Sequence, residues 1–319
     1  MTDDPRTPTT LIAGFLGAGK TTLLNHLLHE GYGGRRFALI VNDFGKVAVD
    51  AALIEHAEDD MLVMRNGCVC CTLVGDLLRG LGRLLAREPY DAIIMETSGV
   101  TNVPVLKQYL EHPELADRLR LERIVTVVDA VRYLKQREAI LVVDQQVRLA
   151  DVVLLNRSDA APAQQRHEAA EAIRAVNPRA TLIETEYCRI SVADLVGSAQ
   201  APGEAGGAAK PLDDQWYTAR VLLPTPISHE RLEKLLSSVR EPVLRLKGFV
   251  RAPDGAWHVE RAGEDQSIEP WDPERIPDDQ MGTLVAIGSA PITEQLRNAF
   301  DAQPDARIIA DREMHEHRH

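Results

Sequence analysis

No apolar run in this 319-residue chain approaches the roughly 18 residues that a membrane-spanning helix needs, so no such helix is expected. Positive charge is also scarce. Lys and Arg total 36 against 48 for Asp and Glu, a formal net charge of −12. The phosphate field of a nucleic acid or an anionic membrane repels so acidic a chain, and neither is an expected partner. Cysteines number only four, and three of them crowd into positions 68, 70 and 71. That is no disulfide framework; in a reducing compartment the pattern belongs to metal or redox chemistry. The first residues, MTDDPRTPTT, lack the basic and apolar regions of a secretion signal, and no internal repeat is visible. What is present is ordinary globular material, 45% hydrophobic and 26% charged. The expectation is a soluble, cytoplasmic protein of two domains.

The first part of the chain alternates short, continuous apolar runs with helical patterns. Thr10 to Ala13, Phe37 to Val41, Met61 to Met64, Ala92 to Met95, Ile124 to Val128 and Val152 to Leu155 read as strands. Leu23, Leu24, Leu27 and Leu28 stripe one face of a helix over Thr21 to His29; Leu73 to Ala86 and Ala163 to Val176 carry further helical patterns. Strands that are apolar throughout, separated by helices, predict a mostly parallel, doubly wound α/β sheet covered on both faces. Residues 197–215 are small and flexible and read as a linker after a domain spanning 1–196. Beyond it, residues 216–310 read as a smaller α+β domain. Its strands are Trp216 to Leu223, Val243 to Val250, Ala256 to Glu260 and Thr283 to Ile287, and its helices Ser228 to Val239 and Thr293 to Phe300. Residues 311–319 form a polar tail expected to be disordered.

Gly14-Phe-Leu-Gly-Ala-Gly-Lys20-Thr21 matches the phosphate-loop pattern in full, between a strand and a leucine-striped helix. Its glycines let backbone N–H groups turn inward around phosphates, and the helix N-terminus adds positive potential. The nucleotide-binding residues are therefore Gly14, Gly17, Ala18, Gly19, Lys20, Thr21 and Thr22. Lys20 reaches the β- and γ-phosphates and the Thr21 hydroxyl ligates Mg²⁺. Ile93-Ile94-Met95-Glu96 is a strand ending in a carboxylate, with Gly99 three residues on. Glu96 suits the Mg²⁺ water shell or the attacking water, and the Gly99 N–H suits γ-phosphate sensing. In Leu154-Leu155-Asn156-Arg157-Ser158-Asp159 the pattern approaches the guanine-recognition motif N-K-x-D, with Arg157 in place of Lys. The Asp159 carboxylate can accept from guanine N1–H and N2–H₂, donors that adenine lacks, and Asn156 would bind the base edge and support the loop. The competing reading makes Ser158 and Asp159 helix N-caps.

Cys68, Cys70 and Cys71 lie between the phosphate loop and Glu96, within Asn66-Gly-Cys-Val-Cys-Cys-Thr72. Three thiolates at this spacing suit Zn²⁺ or Cu(I) and, less tightly, Co²⁺. So short a turn leaves the coordination shell open, which suits transfer better than structural storage.

Taken in order, GFLGAGKTTLLN at 14–25, VNDFG at 41–45, NGCVCCT at 66–72, ETSGV at 96–100, VVDA at 127–130 and NRSD at 156–159 resemble the CobW-like metallochaperone GTPases. These are relatives of the nickel-insertion GTPases that serve urease and hydrogenase. The likeness continues in LRLKGF at 244–249 and LVAIG at 284–288, similar to the CobW C-terminal domain. It implies a Mg²⁺- and GTP-dependent enzyme that hydrolyses GTP and carries zinc, or cobalt, at its C-x-C-C motif to a client protein. Lys20, Glu96 and Asp43 then form the catalytic set, with Asp43 in a switch-like segment where it could meet Mg²⁺ or a second metal. The second domain recognises the client or shapes a homodimer. Lys46 stands where many relatives carry an acidic residue, and removes a carboxylate from any accessory metal site. No arginine finger is evident in the switch segments, so intrinsic hydrolysis should be slow.

Two features remain. His315, His317 and His319 can capture Zn²⁺, Ni²⁺ or Co²⁺ weakly, or be a solvated terminus. His26 and His29 fall on the polar face of the first helix and read as solvated. The rival readings of the whole chain are a GTP- and metal-responsive regulatory switch that delivers nothing, and a small-molecule kinase.

Overall fold

The computed structural model describes residues 4–30, 36–42, 61–64, 81–82, 84–85, 90–101, 103–110, 113–191, 195, 217–263, 265–278 and 280–310. Asp43, Lys46, the cysteine motif, the 197–215 stretch and the 311–319 tail all lie outside the described residues, as does most of the helical pattern over 73–86.

The described residues form two compact units. In chain order the first contains β1 (Thr7–Ala13), α1 (Lys20–Glu30), β2 (Phe37–Asn42), β3 (Met61–Met64), β4 (Ala92–Glu96), α2 (Val103–Leu110), α3 (Pro113–Ala116), β5 (Leu119–Asp129), α4 (Tyr133–Ala139), α5 (Leu141–Leu149), β6 (Val152–Asn156), α6 (Ala163–Val176) and β7 (Thr181–Glu184). Its seven strands lie in the order β3-β2-β4-β1-β5-β6-β7, and every pairing is parallel. The continuous apolar runs have the cause expected of them. All five residues of β4 and all five of β6 are buried, as central strands between two helical layers must be. Leu11, Ile93, Met95 and Ile40 pack with Val103, Leu106 and Leu110 of α2 on one face of the sheet.

The sheet also holds an edge strand, β7, that no apolar run announces. None of its four residues is fully buried, because it pairs along one edge only. β5 is longer than its apolar run: Leu119 to Arg123 extend it with alternating leucine and charged residues, of which Leu119, Arg120, Leu121 and Arg123 pair with Thr7, Pro8, Thr9 and Thr10 of β1.

The second unit contains β8 (Tyr217–Leu222), α7 (His229–Ser238), β9 (Val243–Ala252), β10 (Gly255–Ala262), β11 (Asp265–Trp271), β12 (Thr283–Gly288), α8 (Thr293–Phe300) and β13 (Arg307–Ala310). Six strands in the order β11-β10-β9-β12-β8-β13 make an antiparallel sheet. Leu232, Leu235 and Leu236 of α7 and Leu296 and Phe300 of α8 pack on Val221, Leu246, Val250 and Leu284. The edge strands β11 and β13 are again largely exposed, β11 polar and β13 carrying Ile308 and Ile309. No helix of the described residues is long and apolar enough to cross a membrane.

Candidate functional site

β1 leads to β2 on one side of the first sheet, and its neighbour β5 leads to β6 on the other. Such a reversal opens a crevice at the carboxyl ends of the strands. The loop from Gly14 to Gly19 sits there and runs directly into α1 at Lys20. Two glycines are dictated by close contact. Gly14 has φ +144°, and a Cβ built on it would lie 2.4 Å from the Val127 carbonyl oxygen of β5. Gly19 has φ +111°, and its Cβ would lie 2.5 Å from Asn156 Nδ2 and 3.1 Å from Cys188 Sγ. Only a residue without Cβ fits either place.

Lys20 is buried, and its Nζ donates to the carbonyl oxygens of Gly14 at 2.9 Å and Phe15 at 3.4 Å. The loop thus folds around its own ammonium group, beside the N-terminus of an eleven-residue helix whose buried face is Leu23, Leu24 and Leu27. An ammonium beside a glycine-rich loop and a helix N-terminus together match a polyphosphate. Thr21 is half-buried in the first turn; Thr22 is exposed.

Glu96 ends β4 beside the loop: it is paired with Ile12 of β1, and the Thr97 N–H donates to the Ile12 carbonyl at 2.9 Å. The carboxylate is almost wholly buried. The chain then turns back, with the Thr101 N–H donating to the Ser98 carbonyl at 3.1 Å. The turn presses on the phosphate loop; a Cβ on Gly99 would lie 2.6 Å from the Leu16 nitrogen and 2.5 Å from its Cδ2. Among the described residues the Gly99 N–H has no acceptor.

At the far end, Asn156 closes β6 with 3% of its surface exposed. Its Nδ2 donates to the Ala18 carbonyl at 3.0 Å; its Oδ1 accepts from the Cys188 N–H at 2.8 Å and from Thr185 Oγ1 at 3.3 Å. The carboxamide therefore ties the phosphate loop to the segment after β7. Arg157 adopts φ +60°, and its Nη1 donates to Asp129 Oδ2 at 2.9 Å. Asp129 is buried, and Arg132 Nε lies 3.5 Å from the same oxygen. Ser158 Oγ donates to the Leu155 carbonyl at 2.7 Å, and α6 begins only at Ala163 behind Pro162, so neither Ser158 nor Asp159 caps it. Asp159 is exposed at the rim.

The segment 185–190 carries no motif, and sequence reasoning passed over it. Tyr187 and Cys188 sit in the left-handed region at φ 51° and 53°, an uncommon backbone for such side chains. Cys188 is fully buried, and its thiol donates to the Gly19 carbonyl at 3.4 Å. Burial pushes that thiol up to about 12, so it stays protonated. His26, assigned to solvent by the helix pattern, is half-buried instead. Its Nε2 lies 3.1 Å from the carbonyl oxygen of Ile190 and 3.3 Å from its amide nitrogen. The signal was the pairing of β7 with β6, which brings its following loop to the phosphate loop; no local pattern encodes it.

The structure thus gathers Gly14, Gly17, Ala18, Gly19, Lys20, Thr21, Glu96, Gly99, Asn156 and Asp159 along the carboxyl ends of β1, β4 and β6. Asp43, Cys68, Cys70 and Cys71 lie outside the described residues, among which no cluster of three His, Cys, Asp or Glu side chains is placed to hold a metal.

Comparison with known proteins adds the following. Residues 8–184 match the CobW/HypB/UreG nucleotide-binding domain, and residues 218–303 the cobalamin synthesis protein cobW C-terminal domain. The zinc chaperone YjiA of Escherichia coli (strain K12) is 30% identical over 316 residues, covering 91% of this chain and 96% of that protein. The zinc chaperone CobW of Pseudomonas aeruginosa is 29% identical over 343 residues, covering 92% and 91%. Among solved structures, the Zn(II)-bound YjiA GTPase from E. coli aligns over 93% of this chain and 98% of that one, at 24% identity and a TM-score of 0.47. The phosphate cradle and both sequence matches lead to one assignment: the chain belongs to the CobW/HypB/UreG family, as a P-loop GTPase carrying a CobW C-terminal domain.

Proposed function

We propose that this GTPase is a metallochaperone: it takes up zinc, or less tightly Co²⁺, at Cys68, Cys70 and Cys71 and releases it to a client metalloprotein on GTP hydrolysis. The observation that carries this reading is a phosphate cradle built around Lys20, in a chain nearly full-length similar to proteins named zinc chaperones. Three clustered thiols supply the soft donor set that such a cargo needs.

Each residue has a role in this reading. Lys20 gives up its two loop carbonyls for the β- and γ-phosphates. Asn156 braces the phosphate loop at the base end, and Asp159 reads the guanine edge from the rim. Glu96 orients water for attack, and the Gly99 N–H meets the γ-phosphate. Mg²⁺ would be held by the Thr21 hydroxyl and by water contacted by Glu96; hydroxyl, carboxylate and phosphate oxygens are the hard donors that this ion selects. When bound, it offsets charge on the phosphates. Asp43 stands with Lys20 and Glu96 in the catalytic set. Residues 1–196 carry the GTPase, 197–215 link it, and 216–310 engage the client or a second copy of the chain.

Delivery requires that metal affinity differ between the GTP and GDP states, since a nucleotide that changes nothing in that affinity gates nothing. The test is a titration of Zn²⁺ and Co²⁺ with Mg²⁺ and either GTPγS or GDP, repeated on a C68S/C70S/C71S variant. The expected result is tighter, thiolate-dependent binding with GTPγS, followed by transfer to an apo-client with mass balance. Binding indifferent to nucleotide would overturn the chaperone reading. Gated binding without transfer would leave a regulatory switch.

A further inference from the structure

α5 contributes a side chain to the nucleotide site that no motif contains. Gln146 is buried, and its Nε2 donates to the Gly99 carbonyl at 3.2 Å and the Thr101 carbonyl at 3.4 Å. Its own main-chain carbonyl accepts from Thr126 Oγ1 of β5 at 3.0 Å. Among the described residues, no other side chain from another element hydrogen-bonds the 97–101 turn; the buried hydroxyls of Thr97 and Thr101 have no partner.

We propose that Gln146 is a positioning residue for γ-phosphate recognition, fixing the Gly99 N–H against the phosphate loop and so setting how strongly GTP is preferred over GDP. The inference rests on the role given to Gly99 above. The argument runs through peptide planes. A peptide unit is rigid, so holding one C=O fixes the N–H across the same bond. The Gly99 N–H shares its plane with the Ser98 carbonyl, which accepts from the Thr101 N–H at 3.1 Å. Gln146 holds the Gly99 carbonyl, in the plane that follows, and the Thr101 carbonyl, in the plane just after the Thr101 N–H. Releasing Gln146 frees the turn to rotate and carries the Gly99 N–H with it.

The contacts also form a closed ring. Gly99 rests on Leu16 of the phosphate loop, and Gly14 of that loop rests on Val127 of β5. Thr126, the neighbour of Val127, anchors Gln146 through its hydroxyl. The sensing turn and the phosphate cradle are therefore registered to the same two residues of β5. A shift of the turn would therefore be felt at Gln146 of α5.

The test uses the full chain and two variants, Gln146→Leu and Gln146→Glu. Affinities for fluorescent GTPγS and GDP analogues with Mg²⁺ are measured beside GTP turnover. Two lost hydrogen bonds at about 1 kcal/mol each predict a roughly tenfold or greater fall in GTPγS affinity and in kcat. GDP, which does not reach the turn, should bind within about twofold of wild type, and this doubles as the check on folding. If the leucine variant does not fold, the glutamate variant carries the same reading, because it keeps the shape and loses the donor. An unchanged GTPγS-to-GDP ratio, or an equal loss for both nucleotides, overturns the proposal. Gly99→Ala keeps the N–H, but its Cβ would lie 2.6 Å from the Leu16 nitrogen and so pushes that N–H out of place, which separates the two layers. If it leaves the preference for GTPγS intact, the role of Gly99 is wrong; if it abolishes the preference while both Gln146 variants keep it, only the positioning role fails.

Discussion

Asn156→Ala tests whether the base end of the site is held by one side chain. The substitution deletes three hydrogen bonds, to the Ala18 carbonyl, the Cys188 N–H and the Thr185 hydroxyl. With Asn156 only 3% exposed, water does not freely replace them. A buried polar group left without a partner costs about 1–3 kcal/mol. The Ala18 carbonyl and the Cys188 amide are two such groups; the Thr185 hydroxyl can rotate to another partner and is left out. The bounds are then about 2–6 kcal/mol. The vacated carboxamide volume approaches that of a water able to bridge the two backbone groups, which favours the lower half of the range. The expected loss is about 2–4 kcal/mol of unfolding free energy, read from urea denaturation of the first domain's transition. GDP affinity should fall by at least tenfold, because Ala18 belongs to the phosphate loop. Asn156→Asp sharpens the point: it keeps the acceptor toward Cys188 but places an oxygen against the Ala18 carbonyl, so nucleotide affinity should fall at least as far as in the alanine variant. Stability within about 0.5 kcal/mol of wild type together with unchanged GDP binding would refute the account, since that is what a surface substitution does.

Three further outcomes are expected. Cys188, buried with a thiol held near 12, should resist iodoacetamide in the native protein at pH 8 and label fully in urea, as followed by peptide mass spectrometry; native labelling would disprove its burial. Lys20→Ala should abolish nucleotide binding, and it also leaves the Gly14 and Phe15 carbonyls without their donor; an apo-state melting temperature equal to wild type would show that the loop does not rely on that ammonium. Asp151 has its carboxyl raised by burial, against the Ile124 N–H it accepts at 2.7 Å. A raised folded-state value means that the native state binds the extra proton, so this group's contribution to stability falls as pH rises from its ordinary value of 3.8 through the raised one. Asp151→Asn should flatten that part of the stability profile, and an unchanged slope would count against it.

What the sequence made legible, and what it did not, divides along the range of the interactions. Residues 14–21 announce themselves because the pattern is contiguous: a strand before, a helix after, and glycines between them at fixed spacing. The central strands are legible because burial on both faces leaves no polar position. The edge strands β7, β11 and β13 escape notice because half-exposed pairing demands little of composition. In the same way, Cys188 and Gln146 reach the site from segments separated from the phosphate loop by more than a hundred residues, so only strand order reveals them.

Arg157 shows how a residue that departs from a motif can be held by a partner distant in sequence. Judged locally, Arg in place of Lys loosens the resemblance to N-K-x-D. In the fold, Arg157 takes a left-handed backbone at φ +60° and donates to the buried Asp129 carboxylate at 2.9 Å. Asp129 also accepts from the Val131 N–H at 2.9 Å, so the carboxylate is itself held in place. A guanidinium presents a planar fork of donors that a carboxylate can orient, whereas an ammonium is a point charge on a freely rotating stem. The long side chain is thereby pinned at the end of β5, next to the turn that carries Asp159, instead of ranging through solvent. Asp129, within the Val127-Val-Asp-Ala130 segment, thus holds the Arg157 guanidinium, and the two positions form one ion pair.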